Sequence, residues 1–136
     1  MLQIDAYIDS LQEPKRREMQ QLHDSILALN PACKMWFLDG KNSEGKVVAN
    51  PNIGFGSQHI KYADGSQKEF YQVGISANTT GISVYIMGLP DKSYLVKEVA
   101  PAIGKAKVSG YCIKFKSLQD INLEVLKAAC LVGFGK

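Results

Sequence analysis

Three short segments in which apolar and polar side chains alternate constrain the fold of this chain more than any other feature. They are Lys68–Ser76, Ile82–Met87 and Tyr111–Lys116, and their alternating apolar residues are Tyr71, Val73 and Ile75, then Ile82, Val84 and Ile86, then Tyr111, Ile113 and Phe115. Successive side chains of a strand point to opposite faces of a sheet, so each segment predicts a half-buried strand. The short connection Asn78–Gly81 predicts that the first two strands form an antiparallel hairpin. Ile53–Tyr62 is predicted to be a neighbouring strand, loosened by Gly54 and Gly56.

Apolar residues at helical spacing predict two helices before the strands. Ile4, Ile8 and Leu11 recur at the spacing of a short amphipathic helix, and Pro14 sits where a second helix would begin. The stripe of that second helix consists of Met19, Leu22, Ile26 and Leu29, and Asn30-Pro31 ends it.

Two further helices are predicted in the second half of the chain. One lies near Ser93–Ala100 and is disturbed by Pro101. The last begins at Asp120 or Asn122 and stops before Gly133.

This order of elements predicts an α+β fold in one domain, residues 1–136. Strands adjacent in sequence favour antiparallel pairing, and helices grouped near the chain ends favour a layer on one side of the sheet. We therefore expect an antiparallel sheet with an N-terminal helical pair and a C-terminal helix packed on one face. A length of 136 residues with 46% apolar residues is enough for one core without disulfides or metal.

Two glycines mark the candidate ligand site. Gly54 and Gly56 leave one face of their strand without side chains, so a large residue such as Trp36 or a flat ligand could lie there. Uncharged polar groups near strand ends, Asn52, Asn78 and Tyr85, could orient such a ligand. Together these six residues form the predicted ligand-binding set, with packing within the core as the alternative.

Two segments resemble nucleotide-binding motifs, but neither is followed by the helix that such a motif requires. Gly40–Lys46 matches G-x-x-x-x-G-K, but Val47-Val48 and then Asn50-Pro51 follow where a helix should begin. Gly54–His59 begins like a dinucleotide fingerprint but has His59 in place of the third glycine and opens no helix. We predict no cofactor, and the sequence offers no nucleophile and base at a recognisable spacing, so catalysis is left open.

Metal and nucleic acid are the two alternative ligands. Asp5 and Asp9, one helical turn apart, could hold a cation weakly together with Glu13. The basic residues Lys105, Lys107, Lys114 and Lys116 could follow a phosphate backbone. Strand alternation, however, places Tyr111 and Phe115 on the opposite face from Lys114 and Lys116, which favours a solvated sheet edge or face and makes nucleic acid the weaker prediction.

Cysteine usage and the amino terminus favour the cytoplasm. Cys33, Cys112 and Cys130 are odd in number, far apart and without a C-x-x-C pair, as in reduced intracellular proteins. The first residues lack a secretory signal, and the sequence offers no membrane-spanning segment.

Motifs along nearly the whole chain resemble YdhG-like domains, a bacterial family of unknown function. They are Ile4–Leu11 followed by Pro14 and Pro31, Gly81–Ile86, Ile103–Lys105, Gly110–Lys116 and Asp120–Leu126. The resemblance implies an α+β fold and a cytoplasmic setting, and some relatives are described as frataxin-like iron chaperones. We expect a non-catalytic module that binds a small ligand or a protein partner on its sheet, with iron handling as an alternative that the few N-terminal acids support poorly.

Overall fold

A computed structural model describes residues 2–136, which form helices before and after a run of strands. The α-helices are α1 (Leu2–Asp9), α2 (Lys15–Leu29), α3 (Ala100–Ile103) and α4 (Leu123–Gly133). The strands are β1 (Met35–Leu38), β2 (Asn52–Phe55), β3 (Gln58–Lys61), β4 (Gln67–Phe70), β5 (Val73–Asn78), β6 (Gly81–Ile86), β7 (Lys107–Ser109) and β8 (Cys112–Phe115).

Six strands form one antiparallel sheet in the order β1-β2-β5-β6-β8-β7, and β3 and β4 form a separate hairpin. The predicted hairpin of β5 and β6 is present, with Asn78 opposite Gly81. The prediction of an α+β fold with an antiparallel sheet is confirmed.

The core lies between one face of the sheet and helices α1, α2 and α4. Val73 and Ile75 of β5 and Val84 and Ile86 of β6 are fully buried on this face. Of the predicted stripes, Ile4, Ile8, Met19, Leu22 and Ile26 lie in the core, whereas Leu11, beyond the end of α1, and Leu29 are only partly buried. Helix α4 adds Leu126, Ala129 and Cys130. Each fully buried Ile or Leu side chain stabilises the fold by about 1.5–3 kcal/mol, so this one-sided packing determines which face of the sheet remains outside.

The start of the C-terminal helix follows its sequence signal, whereas the predicted stop before Gly133 is wrong, because α4 includes Gly133 and ends at Phe134. The side chain of Asn122 accepts hydrogen bonds from the backbone N–H groups of Glu124 (3.0 Å) and Val125 (3.2 Å). These bonds satisfy donors that have no partner within the helix, so Asn122, rather than Asp120, begins α4.

The predicted helix near Ser93–Ala100 is shifted and irregular. A π-helical turn covers Leu95–Val99 and continues into α3, and the Ala100 N–H bonds to the Leu95 carbonyl five residues back. Pro101 has no N–H and cannot extend a regular α-helical ladder through this point, which explains the widened turn.

Two of the predicted strands are each broken in two. Ile53–Tyr62 is divided at Gly56, whose φ of 82° turns the chain away from the sheet after β2. Lys68–Ser76 is divided at Tyr71 and Gln72, between β4 and β5. The prediction that Tyr71 shares a face with Val73 and Ile75 is therefore wrong, because the irregular step reverses the alternation.

Candidate functional site

The face of the sheet that points away from the helices, here called the outer face, carries the polar and aromatic residues of the sequence-predicted site. Directly opposed residues form one row across six strands: Trp36, Gly54, Gly74, Tyr85, Cys112 and Ser109. The structure thus places Trp36, Gly54 and Tyr85 in one row, although they are far apart in sequence.

The side chain of Tyr71 fills the space over the glycines of this row. A β-carbon added at Gly54 would lie 2.6 Å from Tyr71 Cδ2, and one added at Gly74 would lie 2.5 Å from Tyr71 Cε1 and Cζ. Tyr71 is 4% exposed, and its hydroxyl donates a hydrogen bond of 3.3 Å to Asn52 Oδ1. The gap that the sequence assigned to Trp36 or a flat ligand is therefore occupied by Tyr71.

Other contacts close the same half of the outer face. The rings of Phe70 and Tyr71 stack with centroids 4.1 Å apart, and Trp36 Nε1 donates a 2.7 Å hydrogen bond to the Gly56 carbonyl. Burial, with smaller effects from Tyr85 and Cys112 nearby, raises the pKa of Tyr71. Four predicted ligand residues, Trp36, Asn52, Gly54 and Gly56, thus lie in a packed region.

Hydrogen bonds of Glu69 connect the β3–β4 hairpin to the edge of the sheet. Its carboxylate accepts hydrogen bonds from Ser57 Oγ (2.5 Å) and from Lys34 Nζ (3.0 Å). The Lys34 ammonium also lies 4.4 Å from the centre of the Trp36 ring. The hydrogen bond from Ser57 and then that from Lys34 lower the pKa of Glu69.

The other half of the outer face is polar: Ser76 and Ser83 are buried, and the face becomes open and basic at β8 and β7. Here a second row of opposed residues runs Ser76, Ser83, Lys114 and Lys107. Lys107 and Lys114 are direct cross-strand partners, and both are exposed. Like charges directly opposite each other in a sheet are destabilising.

Two adjoining pockets meet at these lysines. The smaller pocket, of about 230 Å³, is lined by Asn78, Thr80, Gly81 and Ile82 and by Lys107, Lys114, Phe115 and Lys116. The larger, of about 560 Å³, is lined by Gly104, Lys105, Ala106 and Asp120 together with the same Lys107, Lys114, Phe115 and Lys116. We call the two pockets together the lysine groove, which contains one residue of the predicted ligand set, Asn78.

The lysines of the groove have no ion-pair partner within residues 2–136. The ion pairs of this part of the chain are Arg16–Glu13, His23–Asp24, Lys34–Glu69 and Lys127–Glu124. Asp120 is the single carboxylate residue that lines the groove. Burial raises the pKa of the neighbouring Cys112 thiol, and the charge of Lys114 offsets only part of this increase.

Sequence reasoning identified these four lysines but not their arrangement around a pocket. The available signal was the symmetry of a hairpin: Ser109 opposes Cys112 around Gly110-Tyr111, with Gly110 at a φ of 52°. A two-residue turn at this glycine places Lys107 opposite Lys114. The predicted separation of rings from lysines holds for Phe115, which is 5% exposed in the core.

The acidic residues of the metal alternative are engaged elsewhere or exposed. Glu13 accepts a hydrogen bond from the Arg17 N–H (2.9 Å) and pairs with Arg16 at 3.7 Å. Asp5 and Asp9 are exposed on α1. Across the described part of the chain, no three His, Cys, Asp or Glu residues are grouped closely enough to hold a metal ion.

Comparison with protein-family models, with curated proteins and with solved structures gave no match to this chain. Within residues 2–136, every helix is too short or too polar to cross a membrane. The resemblance to YdhG-like domains therefore stays a prediction.

Proposed function

We propose that the protein is a non-catalytic module that binds a small phosphate-bearing ligand in the lysine groove. Three lysines, Lys107, Lys114 and Lys116, line both pockets. Their ammonium groups would donate charge-assisted hydrogen bonds to phosphate oxygens, which are stronger than bonds between neutral groups. Lysine recognises phosphate as a point charge, so the site requires convergence of several lysines rather than one fixed geometry.

The observation that carries the proposal is the unpaired, opposed pair of Lys107 and Lys114. Lysines on an edge strand can serve to prevent sheets from pairing with other chains. That explanation suits Lys107, because β7 is the edge of the sheet, but not Lys114, because β8 pairs with both β6 and β7. A bound anion would offset the repulsion between the two ammonium groups.

Calorimetric titration with pyrophosphate tests the proposal. Replacing Lys114 by Gln should weaken binding by about tenfold or more, because a hydrogen bond to a charged group is worth about 1.5–3 kcal/mol. Lys46→Gln removes the same charge from an exposed loop and should change the affinity by less than about twofold. Affinity should also fall as salt rises from about 50 to about 200 mM.

The absence of binding heat would contradict the proposal, and so would equal losses in Lys114→Gln and Lys46→Gln. The second outcome would mean that pyrophosphate responds to net charge and not to the groove. Circular dichroism of each variant establishes that the fold is intact before the affinities are compared.

The cytoplasm is the compartment we propose for this activity. Cys33, Cys112 and Cys130 are free thiols, in keeping with a reducing environment. A YdhG-like origin fits the same setting. The iron-handling alternative has less support, because Glu13 is already paired with Arg16.

A further inference from the structure

We infer that the ligand of the lysine groove is a linear phosphoanhydride chain, with two or more linked phosphates, that spans both pockets. The inference rests on the proposed function and names its ligand class. Free inorganic pyrophosphate or triphosphate and the phosphate end of a nucleotide share this chemistry.

The arrangement of the shared lysines supports a chain rather than a single phosphate. Lys107, Lys114 and Lys116 belong to the lining of both pockets and so stand at their junction. Lys105 lines only the larger pocket, and Thr80 lines only the smaller one. A ligand in contact with all of these residues must extend from one pocket into the other.

The charge of the groove also favours a ligand with more than one phosphate. The groove is lined by four lysines and by a single carboxylate residue, Asp120. A single phosphate group carries a charge of only about −1.5 to −2 near neutral pH, which leaves part of this positive charge unmatched. Each additional phosphate adds negative charge along the line of the lysines.

The groove offers little to a nucleobase. Phe115 is the only aromatic residue in the lining of the two pockets, and it is 5% exposed with its ring in the core. Stacking on an exposed ring is the usual source of affinity for a base. We therefore expect chain length, and not the identity of a base, to determine affinity.

An affinity series tests the inference: orthophosphate, pyrophosphate, triphosphate and adenosine triphosphate, each titrated into the full chain. Triphosphate should bind about tenfold or more tightly than orthophosphate, because additional charge-assisted hydrogen bonds form along the chain. Adenosine triphosphate should match triphosphate to within about threefold, since no base contact is expected.

Two variants that each change the charge by one unit probe the pockets separately. Lys105→Gln alters only the larger pocket, and Thr80→Glu places a carboxylate in the smaller one. Both should weaken triphosphate binding, while at most one should weaken orthophosphate binding. Thr80→Gln separates any effect of the lost hydroxyl, which donates a 2.8 Å hydrogen bond to Asn78 Oδ1, from that of the added charge.

The outcomes distinguish the inference from the proposed function. Equal affinities for orthophosphate and triphosphate, or a loss in only one of the two charge variants, would overturn the chain-spanning ligand and leave phosphate binding in place. Failure of every phosphate compound to bind would overturn both. If adenosine triphosphate bound much more tightly than triphosphate, the affinity would come from the base. If a short oligothymidylate bound much more tightly than triphosphate, it would come from recognition of a nucleic acid. Either result would also overturn the inference.

Discussion

Tyr71 lies across Gly54 and Gly74 on the outer face, where two adjacent strands lack side chains at opposed positions. Both glycines have ordinary backbone angles, so their value here is the absence of a β-carbon and not conformational freedom. A ring at this depth is buried by backbone from below and by Phe70 from above. The pair of glycines is therefore a packing site for one aromatic residue.

Substitution of Gly74 by Ala should destabilise the protein by about 1–3 kcal/mol, the usual cost of overpacking a filled site. The added β-carbon would lie 2.5 Å from two ring atoms of Tyr71, well inside van der Waals contact. In the background of Tyr71→Ala, Gly74→Ala should lower the free energy of unfolding much less, because the ring that the added β-carbon would contact is absent. Denaturant unfolding of the wild type, both single variants and the double variant gives the coupling energy. Equal costs of Gly74→Ala in the two backgrounds would show that Tyr71 does not fill the gap.

At the scale of elements, the β3–β4 hairpin is held against the sheet by a small set of polar and aromatic contacts. Glu69 bonds to Ser57 and Lys34, and Lys34 lies over the ring of Trp36, the single tryptophan of the chain. Trp36 fluorescence is consequently a direct report of hairpin docking.

Hairpin docking should weaken in acid because of Glu69. The pKa of its carboxyl is lowered from an ordinary value of 4.5, so the contribution of the ionised form is present above that value and is lost as pH falls through the lowered pKa. Glu69→Gln should therefore alter Trp36 emission and lower the unfolding midpoint at neutral pH, and its difference from the wild type should shrink in acid. Glu44→Gln, on an exposed loop, serves as the control. A difference that stays constant from neutral to acid pH would contradict the role of the carboxylate.

The elements also show what the sequence could and could not predict. Unbroken alternation identified β5, β6 and β8 and their core residues, because burial on one side imposes a period of two. The predicted strands were wrong at two irregular positions, Gly56 and Gln72. Between these positions the chain forms the separate β3–β4 hairpin, and Tyr71 lies on the outer face. An irregular position of this kind depends on contacts between residues distant in sequence. Here the N–H groups of Met87 and Gly88 donate hydrogen bonds to the Gln72 carbonyl, and these contacts produce no periodic pattern in the sequence.

The candidate site was accessible to sequence reasoning only in part. The concentration of lysines between residues 105 and 116 was visible, but the pockets also require Asn78, Thr80 and Gly81 from the β5–β6 turn. This turn reaches the lysines only because β6 pairs with β8, which lies about thirty positions further along the chain. Long-range pairing of this kind cannot be read from local composition.

At the scale of the whole molecule, the sheet separates two surfaces of different composition. The helix face supplies the apolar core, and the outer face is divided between the packed aromatic half and the basic half. Since the core is complete without the lysines of the groove, their charge can be directed to binding at some cost in stability.

This division predicts opposite effects of one substitution on stability and on binding. Lys107→Gln removes the repulsion with Lys114 and should raise the free energy of unfolding by about 0.2–1 kcal/mol at low salt, while it weakens pyrophosphate binding. The gain should diminish near 1 M salt, where the screening length falls to about 3 Å. Lys46→Gln provides the matched loss of charge. Destabilisation of Lys107→Gln at low salt would contradict the like-charge argument.

The most direct test of the proposal that the lysine groove binds phosphate is a titration of the ¹⁵N-labelled protein with pyrophosphate, followed by amide chemical shifts. Binding in the lysine groove should perturb amides that cluster at residues 78–81, 104–107 and 114–116, with little change around Trp36 and Gly54. Shifts confined to other surfaces, or spread evenly over exposed lysines, would contradict it.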